Sequence, residues 1–515
     1  MSKKKTIHLP VNRVEGDLEI RVELEEGVVS DAWCIGTMFR GYENILVGRG
    51  ALDGLVITPR ICGICSTCHL TAASSALDMI SGVEVPDDAR RIRNIALMAE
   101  HIQSDLRHGF LIFSPDFCTP IYQDHALYEE AARRYEPFKG QTCLEVIRET
   151  KNVLEIIAIL GGQWPHSSFM VPGGVVSVPK RSDILLCQHL LAGYRRWYEH
   201  KILGCSLERW LEVESACGLD NWLDESDSHR ESDLGFYIRF GRQAGLDRIG
   251  KGHGNFISYG ALDIPGQTGI TGNGGRKTLI PSGFAVGCDV QQFDQSKISE
   301  HVASSWFMDY EGGLHPFLGE TKPYATGAEG QKYTWTKAPR YNGLPAQTGP
   351  LAEMVISGVS LFKDLVGQKG PNVLVRELAR LVRPAFLIPT MEIWLKELAA
   401  DKGDYYRSPG EIKEGEGFGL TEAARGALGH WVKIRDGRIE HYQIITPTAW
   451  HASPRDSSGV RGEWEESLIG TRVRNPDNPV EIGHVIRSYD PCQVCSVHTV
   501  RAGKTGLTIS GGFAI

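Results

Sequence analysis

The chain has 515 residues, 42% of them hydrophobic and 23% charged, with a formal net charge of -8. That composition suits a globular protein of one or two large domains with a sizeable core. Mixed-sign charge with no basic run beyond Lys3-Lys4-Lys5 argues against nucleic-acid binding, and no apolar stretch reaches the ~20 residues of a membrane span. The N-terminus MSKKKTIHLP lacks the apolar core and cleavage site of a signal peptide, so the chain is expected to fold in the cytoplasm.

In chain order, Leu18, Ile20, Val22 and Leu24 alternate with mostly charged residues and run on through Val28, Val29 and Trp33. This predicts half-buried strands joined by a Glu-Gly turn. Apolar residues near helical spacing predict helices over Pro86–Phe110, Leu144–Leu160, Ser182–Glu212 and Leu351–Leu381, the first with acidic residues at its head. The Gly-rich stretches Gly266–Gly275 and Lys402–Gly419 read as connections. At His430–Ile445 the strand pattern returns, with Asp-Gly at the turn of a hairpin. The expected fold is α+β and predominantly α: a helical bundle core with small peripheral sheets built from both chain ends, which would let the ends meet.

Twelve cysteines are many for a chain without the spacing of a secreted disulfide scaffold, so metal binding is the first question. Cys34, Cys118, Cys143, Cys187, Cys205, Cys217 and Cys288 stand singly and read as core. The rest are grouped. Arg60-Ile61-Cys62-Gly63-Ile64-Cys65-Ser66-Thr67-Cys68-His69 comes early, before the helix-compatible LTAASSALDMI, and Asp490-Pro491-Cys492-Gln493-Val494-Cys495-Ser496-Val497-His498 comes near the end. Two thiolates three residues apart can converge on one cation, and two such pairs can surround a soft metal. A structural four-cysteine zinc site is one reading. Against it, zinc usually pins a short ribbon, whereas these pairs sit at opposite ends of a chain large enough to fold without metal. Thiolates also suit nickel and iron, and can bridge two metals.

Together the motifs R-x-C-G-x-C and D-P-C-x-x-C-x-x-H resemble the paired signatures of nickel-iron hydrogenase large subunits, of the uptake type. The resemblance extends through Arg13-Val14-Glu15-Gly16, Phe39-Arg40-Gly41-Tyr42-Glu43, Glu422–His430 and Thr446-Pro447-Thr448-Ala449-Trp450. It covers both ends well, and the middle by helical character alone. A quinone-reductase subunit of the same ancestry lacks the full cysteine set, and all four are present here.

The resemblance implies that Cys62 and Cys492 are terminal nickel ligands, and that Cys65 and Cys495 bridge nickel to an iron carrying carbon monoxide and cyanide. Dihydrogen would be split heterolytically, with a coordinated thiolate, Cys492 or Cys495, as first base. Glu15 matches the glutamate that accepts the proton next. Arg425 matches the arginine overhanging the metals, although Ala424 stands where the family usually has proline. Thr448, after Pro447, matches a hydroxyl donor to cyanide, and His69 a residue hydrogen-bonded to a bridging sulfur. Asp490 is expected to orient the thiolate loop or bond to Arg425. Glu43, the carbonyl of Ile444 and His498 match a magnesium site. Cys68 has no assigned role.

By the same resemblance residues 1–498 form one catalytic domain, and Thr499–Ile515 is an extension removed by a maturation endopeptidase once nickel-insertion factors have acted; a tolerated surface tail is the alternative. The remaining cysteines form no iron-sulfur motif, so an iron-sulfur small subunit is the expected partner, in a heterodimer or higher assembly. Membrane association, if any, would come through partners. A hydrogen-sensing regulator and a zinc-organised scaffold stand as alternative functions.

Overall fold

Alternation along Leu18–Glu25 sets the first sheet, because a strand turns every second side chain to one face. The structure, a computed structural model, describes residues 4–267, 277–327, 330–398 and 402–493. Strands β1 (Lys4–Pro10), β2 (Leu18–Glu25) and β3 (Val28–Gly36) form an antiparallel sheet in that order. Leu18, Ile20, Val22 and Leu24 are buried on its inner face. The β2–β3 turn is Glu26-Gly27, both at positive φ (52° and 77°), as a two-residue hairpin turn of matching twist requires. Strand β1 had no clear signal in the sequence.

Helix α1 (Ser66–Ser81) begins directly after Cys65 and ends at Gly82, whose φ of 66° supplies the left-handed cap. Helices α2 (Asp87–Arg107) and α3 (Gln141–Gly161) fall where the apolar spacing places them. The expected helix over 182–212 is shorter: α4 (Arg181–Trp197) widens into a π-helical turn over Tyr198–Leu203, stops at Gly204 (φ 73°), and Leu207–Leu211 forms a separate turn. Likewise 351–381 holds not one helix but Pro350–Ile356, Ser360–Lys369 and the start of α5 (Val373–Glu397). Gly358 and Gly370, at φ 76° and 74°, break it, and Asn372 caps α5 by accepting from the Val375 amide at 3.1 Å.

The helices form the main core, as expected for a mainly helical α+β fold, but the middle of the chain also contributes sheets. Strands β4 (Asn255–Asp263), β5 (Thr278–Val286) and β6 (Asp289–Gln291) form one; Ile298–His301 pairs with Gly313–Leu314 and Ala338–Tyr341 in another; Met170–Val171 pairs with Gly174–Val175. Near the C-terminus β7 (Gly415–Ala423), β8 (Gly426–Arg435) and β9 (Arg438–Ile445) make a three-stranded sheet with Asp436-Gly437 at the expected hairpin turn. The end of the stretch 402–419, read as a connection, is thus strand. Its glycines are there for packing: a Cβ on Gly417 or Gly419 would run into the carbonyl of Ala76 or Ala72, so α1 lies directly on β7. The connection at Gly266–Gly275 lies mostly outside the described residues.

Of the seven single cysteines, Cys34, Cys143 and Cys187 are buried, Cys118, Cys205 and Cys288 partly so, and Cys217 is exposed. Cys217 corrects the core reading. Its helix, Ala216–Glu225, buries Leu219, Trp222 and Leu223, and Cys217 is off that stripe.

Helix Glu463–Leu468 packs on the N-terminal sheet through Glu465, which accepts from the Cys34 amide (3.2 Å) and the Tyr333 hydroxyl (2.7 Å). Burial lifts its carboxyl from an ordinary 4.5 to about 7. The folded chain therefore binds a proton here more readily than the unfolded chain, and this contribution to stability, complete below pH 4.5, is lost as the pH rises through 7. Glu465→Gln is expected to flatten the fall in unfolding temperature over that window; an unchanged pH profile would refute the assignment.

Candidate metal centre

Three segments distant in sequence converge at the cysteines. A turn at Thr58–Arg60 leads into Cys62, and Cys65 occupies the cap position of α1. Helix α6 (Val480–Arg487) leads into the third segment, where Asp490 takes a left-handed φ of 56° before Pro491 and Cys492. Glu15 bridges to Cys492, and the Gln493 amide donates to the Glu15 carbonyl at 2.7 Å, which ties in the N-terminal segment.

Cys62 Sγ and Cys492 Sγ, 430 residues apart in sequence, lie 3.6 Å from each other, and Cys62, Cys65 and Cys492 are each at most 3% exposed. That separation is far beyond a disulfide bond at about 2.05 Å. It is close to the ~3.8 Å edge of a tetrahedron built with metal–sulfur bonds of about 2.3 Å. Among the described residues no three His, Cys, Asp or Glu side chains close on one point. Cys495 and His498 lie outside the described residues, so the described centre is a thiol pair with Cys65 alongside at the head of α1.

Arg425 stands in the tight link between β7 and β8. Its Nε donates to the Asp490 carbonyl and contacts Asp490 Oδ1, both at 3.1 Å. Burial works against its charge, but Asp490 first, then Cys492, Cys62 and Cys65, hold the proton on. Its Nη1 is buried with no hydrogen-bond partner among the described residues. A buried guanidinium nitrogen left bare beside sulfurs fits a site that holds a further acceptor. The thiol pair and this donor together fit a soft-metal group with polar ligands of its own.

Asp490 is set by more than Arg425. Burial pushes its carboxyl pKa up, yet Arg425, His108 and Arg380 outweigh that and hold it well below the usual range. His108 Nδ1 approaches Oδ1 at 3.1 Å, off hydrogen-bond angle, and Arg380 Nη1 donates to Oδ2 at 3.2 Å. Thr448 is fully buried just after Pro447 at the start of helix Pro447–His451, and its Oγ1 accepts from the Cys492 amide at 3.1 Å. Its hydroxyl proton is still available to a further acceptor.

His69 Nδ1 lies 3.1 Å from His430 Nε2, and His430 Nδ1 lies 2.9 Å from the Tyr442 hydroxyl. Burial lowers the His69 pKa to about 4, so this file of rings is neutral. Glu15 is exposed as a residue, while desolvation first and Cys62 next raise its carboxyl pKa against Arg425 and Arg40. Cys68 is a buried neutral thiol, pushed up to about 12 by desolvation, 3.0 Å from the Cys65 carbonyl.

Glu43 sits apart from the thiols. It accepts from Gln443 Nε2 (2.7 Å), the Ile444 amide (2.9 Å) and the Thr321 hydroxyl, with Lys337 Nζ at 3.7 Å. A cavity of about 20 Å3 there is also lined by Glu300, whose carboxyl is lifted to about 7 by burial. Glu43 and Ile444 are thus brought together, but the bond between them runs through the Ile444 amide, whereas the expected magnesium ligand is the Ile444 carbonyl.

Reading the sequence missed Glu100, Asp105, His108, Arg380, Arg383 and Tyr442. Glu100, fully buried, accepts from the amides of Thr67 (2.8 Å) and Cys68 (3.1 Å), so α2 caps the helix that carries Cys65. The signal was a polar stripe, Glu100, Ser104 and His108 at four-residue spacing, on a helix otherwise read as amphipathic.

The model of the nickel-dependent hydrogenase family matches residues 40–136 and 241–498, a span that includes Cys62, Cys65 and Cys492. The chain belongs to that family. Among its hydrogenase relatives, the periplasmic NiFeSe hydrogenase large subunit of Desulfomicrobium baculatum is 33% identical over 96% of this chain and 95% of its own. The uptake hydrogenase large subunit of Rhodobacter capsulatus is 28% identical, over 98% and 97% respectively. The Ni-Fe-Se hydrogenase structure from D. vulgaris Hildenborough superposes with a TM-score of 0.80 at 31% identity, covering 96% of this chain and 100% of that one. Like those large subunits, this hydrogenase chain is an oxidoreductase acting on dihydrogen, with nickel and iron as its metals. Among the described residues no helix is long and apolar enough to cross a membrane.

Thr448→Val leaves the Cys492 amide buried without an acceptor, at a cost of about 1–3 kcal/mol. A lowered unfolding temperature and reduced retained nickel are expected, with Thr448→Ser matching the native chain. Equal behaviour of the two variants would refute the role of the hydroxyl.

Proposed function

We propose that this chain oxidises dihydrogen in the uptake direction at a nickel-iron pair held by Cys62, Cys65, Cys492 and Cys495, and passes the electrons to an iron-sulfur small subunit. The observation that carries this is the 3.6 Å approach of Cys62 and Cys492 beneath the bare Nη1 of Arg425. Cys62 and Cys492 would be terminal on nickel, and Cys65 and Cys495 would bridge to an iron bearing carbon monoxide and cyanide. What such a pair would supply when bound is Lewis acidity that divides dihydrogen unevenly into a proton and a hydride equivalent, which is worth a second proton and two electrons.

The chain's own residues do the rest. Arg425, fixed by Asp490, aims a permanent charge and a pair of N–H donors at the metal side of the cavity, and the Thr448 hydroxyl, placed by Pro447, adds a second donor for cyanide. A thiolate of Cys492 or Cys495 takes the first proton. Glu15, joined to Cys492 by the backbone bridge and open to solvent, receives it and exchanges it outward. His69 is placed to hydrogen-bond a bridging sulfur, with its other nitrogen engaged by His430.

Glu43, the Ile444 carbonyl and His498 would hold magnesium, for which hard oxygen donors are suited. Residues 1–498 form the catalytic domain in this reading. Thr499–Ile515 is a cleaved extension outside the described residues, handled by a maturation endopeptidase after nickel-insertion factors. Folding in the cytoplasm belongs to the same reading.

Elemental analysis and infrared spectroscopy of the purified heterodimer test it: nickel and iron with bands of iron-bound carbon monoxide and cyanide are expected, whereas zinc without nickel would overturn it. Arg425→Lys keeps the charge but not the fork, and is expected to lower kcat by about 10²–10³ with metals retained. Glu15→Gln should slow turnover by about 10²–10⁴ at unchanged metal content. Native turnover in Glu15→Gln would remove Glu15 from the proton route.

A further inference from the structure

His69, His430 and Tyr442 come from three elements. His69 stands one turn after Cys65 on α1, His430 on β8 and Tyr442 on β9. In the β8–β9 pairing His430 lies opposite Ile444 and Val432 opposite Tyr442, so His430 and Tyr442 are diagonal neighbours on one face of the sheet, within reach of each other's rings. The His69 ring meets them there. All three side chains are buried, with His69 Nδ1 3.1 Å from His430 Nε2 and His430 Nδ1 2.9 Å from the Tyr442 hydroxyl.

Each contact in this file needs one donor and one acceptor, and a neutral imidazole has one of each. Two proton patterns meet that condition. In the first, the Tyr442 hydroxyl donates to His430 Nδ1, His430 Nε2 donates to His69 Nδ1, and the His69 proton sits on Nε2. In the second every bond is reversed, and His69 Nε2 carries a bare lone pair. Among the described residues the Tyr442 hydroxyl meets no hydrogen-bond partner besides His430, so reversal strands the phenol proton in a buried place. The other end makes the same demand. With Nδ1 engaged by His430, Nε2 is the His69 nitrogen left for the sulfurs, and a thiolate at Cys62 favours a proton on that ring.

We propose that Tyr442 is a positioning residue for the metal centre: by donating to His430 it locks both imidazoles in the Nε2–H form and makes His69 a hydrogen-bond donor to the cysteine sulfurs. This rests on the reading of those sulfurs as metal ligands and adds the residue that sets the direction of the bond. Which nitrogen of a histidine carries the proton is set by the bond its other nitrogen makes, and a donor on a ligand atom tunes what that atom gives to a metal. Tyr442 itself touches neither sulfur nor substrate.

Neutron diffraction from perdeuterated crystals of the native heterodimer reads the protons directly. Deuterium is expected on the Tyr442 oxygen facing His430, on His430 Nε2 and on His69 Nε2; deuterium on Nδ1 of either ring would overturn the proposal. Tyr442→Phe removes the donor at the head of the file. At unchanged nickel and iron content, its infrared band of iron-bound carbon monoxide is expected to move to lower wavenumber, because a sulfur with a weaker hydrogen bond gives more charge to iron. A tyrosine that only fills space would lower the unfolding temperature and leave the band where it is in the native chain, and that result would remove Tyr442 from the role. The native neutron map decides should Tyr442→Phe fail to fold. Zinc in place of nickel and iron would sink the metal reading alone, since the same map still gives the direction of the ring file.

Discussion

The carboxylate of Asp490 is 3% exposed and is met by Arg425, Arg380 and His108, and the placement of the centre depends on this one knot of charge. A carboxylate so deprived of water is tolerated only when paired, and removal of one partner of such a cluster costs about 3–5 kcal/mol. The knot joins parts of the chain that are far apart in sequence. Arg425 comes from the β7–β8 link, Arg380 from α5, His108 from the end of α2, and Asp490 itself stands two residues before Cys492. Fixing its position fixes the thiol loop and the guanidinium relative to each other.

Behind the knot, α5 presents a second arginine one turn on. Arg383 clasps Asp105 with two nitrogens, reaches Glu353 at 2.7 Å, and donates to the Ala424 carbonyl at 2.8 Å; Arg380 Nη1 reaches the same carbonyl at 3.3 Å. The residue before Arg425 is therefore held through its backbone oxygen. An alanine at 424 leaves the link freer in its dihedrals than a proline would. Two buried guanidinium groups restrain it from outside instead, so stiffness lost in the covalent chain is supplied by its surroundings.

Much of this could be read from the residues. The cysteine pairs, the alternation of Leu18–Leu24, the Asp436-Gly437 hairpin and the resemblance of Arg13–Gly16 to a known motif together located the centre and both terminal sheets. The mid-chain sheets were less visible because β4 is buried along nearly its whole length and shows no alternation. The start of β7 was hidden by glycines, which weaken a strand signal but are demanded by the contact with α1. The helix over 351–381 was drawn too long because apolar spacing continues across Gly358 and Gly370, where only the backbone changes hand. Arg380 and Arg383 gave no warning, since a polar residue on a helix is ordinarily a solvated one. Their meaning comes from partners far off in sequence.

The pairing of Cys62 with Cys492 also has a temporal side. At about 5–20 residues per second, some 20–90 s of synthesis separate the two thiols. Until then a growing chain owns half of a ligand set, and whatever metal meets Cys62 and Cys65 meets an open, exchangeable dithiol. The finished centre can form only once Cys492 has been made, so a chain stopped short of it is inert however well its helices have packed.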